Sequence, residues 1–377
     1  MDRTIVHMDL DAFFVSVELL KHPKLRNKPL IIGGSSDRGV VASCSYEARQ
    51  FGVHSAMPSR MARTLCPQAV FIKGDMESYS YYSRLVTEII STRAPAYEKA
   101  SIDEFYLDLS GMDRFVGCYK WTCELKQYIH KECGLPLSFG LSVNKTVSKI
   151  ATNESKPNGN RQIEKGQEKP FIAPLYVGKI PMIGKKTVAQ LNSLGVSRVG
   201  TLSEMPPEML ERMFGRHGLL MWQRANGVDH TPITPYTERK SVSTEETFQA
   251  DTTDIVMLKS TLVKMVEELG YTLRSKSLLS GCITVKIRYS DFDTHTRQAS
   301  IPFSASDSVL LKTAQELFDR LYNRRMLVRL IGVRLSDLVR GNYQTNLFED
   351  YRREINLYQA MDKIRDKYGL KSIGRAS

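Results

Sequence analysis

The strongest constraint on folding lies in the last third of the chain, where hydrophobicity alternates with a period of two. Between Cys282 and Tyr289, Ile283, Val285, Ile287 and Tyr289 fall on one face, and Lys286 and Arg288 fall on the other. Successive side chains of a strand point to opposite faces, so this segment is a strand with one covered side and one open side. Ser241–Phe248 and Thr294–Ile301 read as further strands, and Leu330–Leu335 sets Ile331, Val333 and Leu335 opposite Arg334. Ile255–Leu273 repeats Leu258, Leu262, Met265 and Leu269 at helical spacing, and Val309–Leu321 forms a second helix. The order strand, helix, strand, strand, helix, strand predicts a small split sheet with both helices on one face. Its bare face is expected to carry Lys286, Arg288 and Arg334, with Arg297 from the strand Thr294–Ile301. A charged strand face is usually only a solvated one, but several cations with no acid at the alternating positions raise the case for a phosphate-binding surface.

The first 165 residues are organised differently. Strands at Thr4–Met8, Leu30–Gly33, Val40–Cys44, Phe105–Leu109 and Leu137–Val143 alternate with helices at Ser78–Ser91 and Phe115–Cys133, which predicts one mixed α/β unit. The polar run Lys156–Pro170 marks a loop or boundary. Short helices at Thr187–Leu194 and Pro207–Phe214 follow, so the second region is small and mostly helical. The stretch TPITPYTERK (Thr231–Lys240) has the composition of a linker. The fold class expected is therefore α+β and multidomain, in keeping with a length of 377 residues.

Lys and Arg total 53 against 41 Asp and Glu, an excess of +12 that narrows partners to polyanions. No run approaches the ~20 apolar residues of a membrane helix, so no membrane partner is expected. The N-terminal MDRTIVHMDLDAFF reads as a first strand rather than a secretion signal. The six cysteines form no CxxC pair, which predicts reduced thiols in an intracellular protein and no zinc site.

Three acids stand out by position. Asp9 ends the first strand, and the neighbours Asp103 and Glu104 precede the strand FYLDL. Carboxylates at strand ends can converge on one sheet edge and supply the hard oxygens that Mg²⁺ takes. Two such ions would stabilise attacking and leaving oxygens of a phosphoryl displacement. Acid pairs also serve as caps or exposed surface, and spacing alone leaves that alternative open. Asp11 reads as a cap for a helix over Ala12–Leu20 and Asp108 as structural, so both are left out of the metal set.

The strings HMDLDAFFVSVE, VVASCSYEARQFGVHSAMPS, SIDEFYLDLSG and LSFGLSVNKTVSKIATNESKPNG closely resemble the Y-family, or translesion, DNA polymerases. The match lies in the DNA polymerase IV branch, close to that of polymerase V. The resemblance implies a right-handed polymerase: a ferredoxin-like palm over 1–10 and 77–165, small fingers over 11–76 and a thumb over 166–230. A linker over 231–240, a β-α-β-β-α-β little finger over 241–341 and a tail over 342–377 complete it. It also implies Asp9, Asp103 and Glu104 as catalytic acids that hold two Mg²⁺ ions with the carbonyl of Leu10. The reaction implied is attack of a primer 3′-hydroxyl on a deoxynucleotide, with low fidelity, low processivity and a part in repair and damage-induced mutagenesis.

Further residues follow from the same resemblance. Tyr46, Arg49 and Lys156 match triphosphate contacts, and Ser43 falls beside them. Phe14 matches a steric gate against the 2′-hydroxyl, Phe13 is grouped with the nucleotide contacts but also reads as a core residue, and Val40 and Ala56 align with the roof over the base pair. KIPMIGKKTVAQLNSLGV resembles a helix-hairpin-helix in which Gly184, Lys185 and Lys186 meet DNA phosphate, although Met182 stands where a glycine is usual. Lys286, Arg288, Arg297 and Arg334 become DNA contacts. QTNLF resembles a sliding-clamp peptide anchored by Gln344, Leu347 and Phe348, and Leu357, Met361, Ile364 and Tyr368 recur beyond it at helical spacing. The expected protein is a monomer in the bacterial cytoplasm, associated with the nucleoid. A DNA-binding scaffold without activity and another two-metal palm enzyme, such as a nucleotide cyclase, are the rival readings.

Overall fold

The computed structural model describes residues 3–34, 36–114, 116–322, 325–341, 352–369 and 372–374. The chain divides into two compact units, Met1–Thr237 and Glu238–Ser377.

Among its described residues the first unit has eight strands: β1 (Ile5–Leu10), β2 (Leu30–Gly33), β3 (Val41–Cys44), β4 (Val70–Ile72), β5 (Ala96–Lys99), β6 (Glu104–Asp108), β7 (Leu137–Ser142) and β8 (Asn160–Gln162). They form a five-stranded sheet in the order β5-β6-β1-β7-β8 and a three-stranded sheet in the order β3-β2-β4. β1 is central and buried along its whole length, antiparallel to β6 on one side and β7 on the other. Its alternation divides two layers. Val6, Met8 and Leu10 join a core with Val15, Val17, Tyr79, Val86, Ile90, Leu125 and Ile129, which come from the helices Phe13–Lys21, Met76–Arg93 and Cys118–Cys133. His7 faces the other layer, where its Nδ1 lies 2.9 Å from Thr152 Oγ1 of the helix Lys145–Ser155. That helix lies so close to β7 that a Cβ on Gly140 would sit 2.2 Å from the Ser148 carbonyl oxygen. Asn144 starts it by accepting from Val147 N at 2.9 Å, and Asp75 starts Met76–Arg93 by accepting from Ser78 N at 3.2 Å.

The helix expected over Phe115–Cys133 begins only at Cys118, whose N–H donates to Asp113 Oδ1 at 3.0 Å. The run expected as a loop, Lys156–Pro170, contains β8, which pairs parallel with β7. The small sheet has its own core of Ile31, Val41, Cys44, Ala48, Val53, Met57, Ala62 and Cys66. After β8 come five short helices, Glu168–Ile172, Lys185–Ser193, Val199–Glu204, Pro207–Phe214 and Arg216–Ala225, around Ile172, Leu191, Leu202, Leu210 and Met221. The start of the linker is fastened to this unit: Arg3 Nη2 donates to the Thr231 carbonyl at 2.8 Å, and Thr234 N donates to Glu98 Oε2 at 2.7 Å. All six cysteines are free thiols.

The second unit has strands β9 (Ser241–Thr252), β10 (Leu278–Tyr289), β11 (Thr294–Ser304) and β12 (Val328–Arg340), all antiparallel, in the order β11-β10-β12-β9. With the helices Ile255–Ser275 and Asp307–Leu321 this is the strand-helix order expected from the sequence. Ile283, Val285, Ile287 and Tyr289 are fully buried against those helices. Two expectations for the open face fail. Arg297 pairs with Val285, not with Lys286, so it lies on the helix side of the sheet. The open face is also not free of acids: β9 pairs with β12 and sets Glu245 opposite Gly332, where it forms an ion pair with Lys286.

The final helix, Arg352–Tyr368, packs on the helical side of the second unit by an unexpected face. Leu357, Ile364 and Tyr368 are exposed, whereas Tyr358, Met361 and Arg365 are buried. Arg274 explains the offset. Its Nε and Nη2 donate to Asp362 at 2.6 and 2.9 Å, its Nη1 donates to Asp307 at 2.6 Å, and its guanidinium lies 4.8 Å from the Tyr358 ring centre. Charged anchors, not apolar periodicity, choose the docked face.

Candidate active site

The three acids meet at one end of β1 and β6. Asp9 and Glu104 are direct cross-strand partners, and Leu10 N donates to the Asp103 carbonyl at 3.1 Å. Side chains directly opposite in an antiparallel pair lie side by side, so the register puts like charges together. Cations compensate. Lys156 Nζ lies 2.5 Å from Asp9 Oδ1, and Lys149 Nζ lies 2.6 Å from Glu104 Oε2. Asp103 is turned to Ser101, whose Oγ donates to it at 2.5 Å.

Electrostatics separate the acids. Asp9 is only 6% exposed, and burial raises its pKa from 3.8 to about 7; Lys156 opposes this, while Asp103 and Glu104 add to it. Burial also works against ionised Glu104, but the Lys149 ammonium, 2.6 Å away, outweighs it and holds the carboxyl below the ordinary range. His7 is fully buried, and burial lowers its pKa to about 4, so the ring is neutral. Its Nε2 stands 3.9 Å from Glu104 Oε2, beyond hydrogen-bond distance, and has no partner.

Among the described residues, no three acidic, histidine or cysteine side chains gather closely enough to enclose a metal ion. The donor chemistry nevertheless fits one. The set is all hard oxygen, and ammonium groups already stand on two of its members. Closing it requires Asp103 to turn from Ser101.

The other expected residues divide into those near this edge and those elsewhere. Tyr46 opens the helix Tyr46–Arg49, which is capped by Ser45 accepting from Ala48 N. The Arg49 guanidinium lies over the Tyr46 ring at 4.6 Å, and Ser43 is buried on β3. Phe14 is half-buried in the first turn of Phe13–Lys21, and its ring stacks on Tyr79 at 4.3 Å and 13°. Phe13, grouped by resemblance with the nucleotide contacts, is 2% exposed inside the main core. The side chain one position along a helix faces a different direction, so adjacent phenylalanines take different roles. Val40 is 55% exposed, and Ala56 has φ 66° in the following loop.

Asp11 does not cap the helix that follows. Ala12 occupies the cap position with φ 43° and no side-chain bond. The Asp11 carboxylate instead accepts from Tyr46, Ser138 and the backbone of Asn158. Sequence reasoning also passed over Lys145 and Lys149. One turn apart, they contact Glu98 at 2.7 Å and Glu104 at 2.6 Å. No local signal pointed to them, because Glu98 and Glu104 lie 47 and 45 residues earlier in the chain.

At the hairpin, Gly184 caps the helix Lys185–Ser193 without a side-chain bond, leaving its first backbone N–H groups without a side-chain acceptor beside exposed Lys185 and Lys186. Met182 adopts φ 74° and is 71% exposed, so the turn keeps the left-handed conformation that glycine would supply. In the second unit, Arg288 Nε donates to Thr294 Oγ1 at 2.8 Å, and Arg334 is exposed on the open face. Gln344, Leu347 and Phe348 lie outside the described residues.

Comparison with known proteins agrees over nearly the whole chain. Family models described as impB/mucB/samB family, IMS family HHH motif and impB/mucB/samB family C-terminal domain match residues 8–153, 166–196 and 239–347. A DNA polymerase IV of Dehalococcoides mccartyi strain CBDB1 is 38% identical over 98% of this chain and 96% of its own length. A DNA polymerase IV of Methanoculleus marisnigri is 38% identical over 90% of this chain and 95% of its own. A solved Y-family DNA polymerase chimera superposes with a TM-score of 0.80 at 27% identity, covering 90% of this chain and 100% of the chimera.

Proposed function

The chain belongs to the Y family of DNA polymerases and is a DNA-directed DNA polymerase, and from that membership we propose that it extends a primer on a template by transferring deoxynucleotides to the 3′-hydroxyl. One observation carries the assignment of the site: Asp9 and Glu104 face each other across β1 and β6, with Asp103 bound to the backbone of Leu10. Two Mg²⁺ ions, held by Asp9, Asp103, Glu104 and the Leu10 carbonyl, would supply charge neutralisation and activation of the attacking hydroxyl. Tyr46 and Arg49 bind the triphosphate, with Ser43 beside them. Arg49 can grip two phosphate oxygens at once. Lys156 joins them, since its ammonium has three N–H donors and the contact with Asp9 at 2.5 Å uses one of them. Lys149 stays with Glu104 and keeps it ionised.

Phe14 stands against the sugar and excludes a 2′-hydroxyl. The hairpin backbone at Gly184, with Lys185 and Lys186, holds DNA phosphate, and Lys286, Arg288 and Arg334 do so on the second unit. These contacts read no sequence, which suits an enzyme that follows its template past lesions with low fidelity and low processivity and so contributes to repair and induced mutagenesis. Gln344, Leu347 and Phe348 would tether the monomer to a sliding clamp in the nucleoid. Among the described residues no helix is long and apolar enough to cross a membrane. Primer extension with Asp103→Asn tests the centre: the variant should fold and bind DNA but leave the primer unextended. Extension at a rate comparable to the unaltered chain would remove the assignment.

A further inference from the structure

We propose that Asp11 is the positioning residue of the nucleotide site: its carboxylate fixes Tyr46 and the loop after Lys156 relative to β1. The proposal rests on the reading that Tyr46 and Lys156 bind the triphosphate. Asp11 is 1% exposed. Three segments far apart in sequence converge on it. Tyr46 Oη donates to Oδ1 at 3.2 Å, Ser138 Oγ donates to the carboxylate at 2.9 Å, and Asn158 N donates to Oδ2 at 2.7 Å. The same loop is braced from its other side. Lys126 Nζ donates to the carbonyls of Asn158 and Gly159 at 2.7 and 3.3 Å, and Gly159 N donates to Ser138 Oγ at 3.2 Å.

The consequence is chemical. A buried carboxylate is acceptor-only and can satisfy several donors at fixed directions. Tyr46 carries Arg49 over its ring at 4.6 Å, so holding the phenol also places that guanidinium. Asn158 is two residues beyond Lys156, so holding its N–H limits where the ammonium can reach. Asp11 thus links both proposed triphosphate anchors to the strand that carries Asp9, without touching the nucleotide.

An amide reproduces this only if Tyr46 or Ser138 turns its hydroxyl from donor to acceptor. Asn at position 11 has one acceptor oxygen and one donor nitrogen, so facing Asn158 with oxygen turns its NH₂ toward Tyr46 or Ser138. Single-nucleotide primer extension of the unaltered protein, Asp11→Asn, Tyr46→Phe and the double variant tests the idea, with thermal unfolding alongside. Loss of a charge-assisted bond predicts a rise of about tenfold in the nucleotide KM for Asp11→Asn, with kcat changed by less than about threefold. The KM effect of the double variant should fall well short of the product of the singles. A merely structural role would lower the unfolding midpoint and the active fraction and leave KM alone. A KM within about twofold of the unaltered protein, or effects that multiply in full, overturns the proposal. Should Asp11→Asn fail to fold, Ser138→Ala removes one donor and leaves the carboxylate in place. It should raise KM severalfold, and an unchanged KM there overturns the proposal equally. Absence of extension by the unaltered protein would remove the polymerase reading itself. Normal extension with KM unmoved by Tyr46→Phe would remove the triphosphate assignment on which Asp11 depends.

Discussion

Replacing Asp9 by Asn should stabilise the protein while abolishing its activity. Burial, reinforced by Asp103 and Glu104 and only partly opposed by Lys156, moves the Asp9 pKa from 3.8 to about 7. A carboxyl whose folded pKa lies above its unfolded value favours the fold in its protonated form. That contribution is full below the unfolded value and is lost as pH rises through about 7. Roughly three units at about 1.4 kcal/mol each put up to about 4 kcal/mol against the ionised, folded form near pH 8. Asn is neutral at every pH and escapes this term. It also weakens the contact with Lys156, but that side chain is 20% exposed and can turn to water, at a cost of about 1 kcal/mol.

The net expectation is a gain of about 1–3 kcal/mol above neutrality, which raises the unfolding midpoint by several degrees. Thermal unfolding of both proteins in chelator, from about pH 4.5 to about pH 8.5, measures it. The gap should be small or reversed at the acid end and widest above about pH 7. A variant less stable than the unaltered protein near pH 8, or a gap independent of pH, would refute the reasoning. In the same preparations Asp9→Asn should yield no primer extension, and added Mg²⁺ should stabilise the unaltered protein more than the variant.

Phe14→Ala opens the space beside the stacked Tyr79 ring, and ribonucleotide insertion should rise at least about tenfold relative to deoxynucleotide, measured by single-nucleotide insertion. Unchanged sugar discrimination would return Phe14 to the status of a packing residue. Lys185→Ala with Lys186→Ala should reduce the slope of log affinity against log salt by about 2, since each phosphate contact contributes about 0.9; an unaltered slope would place the hairpin off the DNA. Leu347→Ala with Phe348→Ala should abolish stimulation by a sliding clamp and leave unstimulated synthesis intact, and persistent stimulation would show that the peptide is a plain connector.

The parts of the fold legible in the sequence were those whose signal is local. The alternation in β10 identified its buried face because Ile283, Val285, Ile287 and Tyr289 each face the helices. β11 offers a much weaker alternation, since in THTRQASIP only Ala299 and Ile301, which pack on the core, mark the covered face. Its face follows from pairing, which sets Val285 against Arg297 and Lys286 against Thr296. A one-residue change of register exchanges the faces of a strand, and the faint pattern of Ala299 and Ile301 already put Arg297 on their side. The tail helix misled for the complementary reason. An apolar stripe was visible, but the buried partner of Arg274 and Glu267 is the row holding Tyr358, Asp362 and Arg365. Paired charges on a helix read as a solvated face until the partner is known.

The candidate site shows the same division. That Asp9, Asp103 and Glu104 would meet at one sheet edge was legible because strand ends and adjacency are properties of short strings. Their cations were not, because Lys149 and Lys156 reach them across the sheet, from 45 residues beyond Glu104 and from the loop before β8. Asp11 is the extreme case. Its donors lie 35, 127 and 147 residues away, so the only local reading available was a helix cap. The two aspartates in HMDLD are chemically identical and two residues apart, yet one meets an ammonium and two acids while the other meets three neutral donors. The alternation of β1 ends between them: Asp9 is the penultimate residue of the strand and Asp11 lies just past it, with its N–H donating to the Pro136 carbonyl. Where a strand stops therefore decides which aspartate faces the acid cluster and which holds the surrounding segments in place.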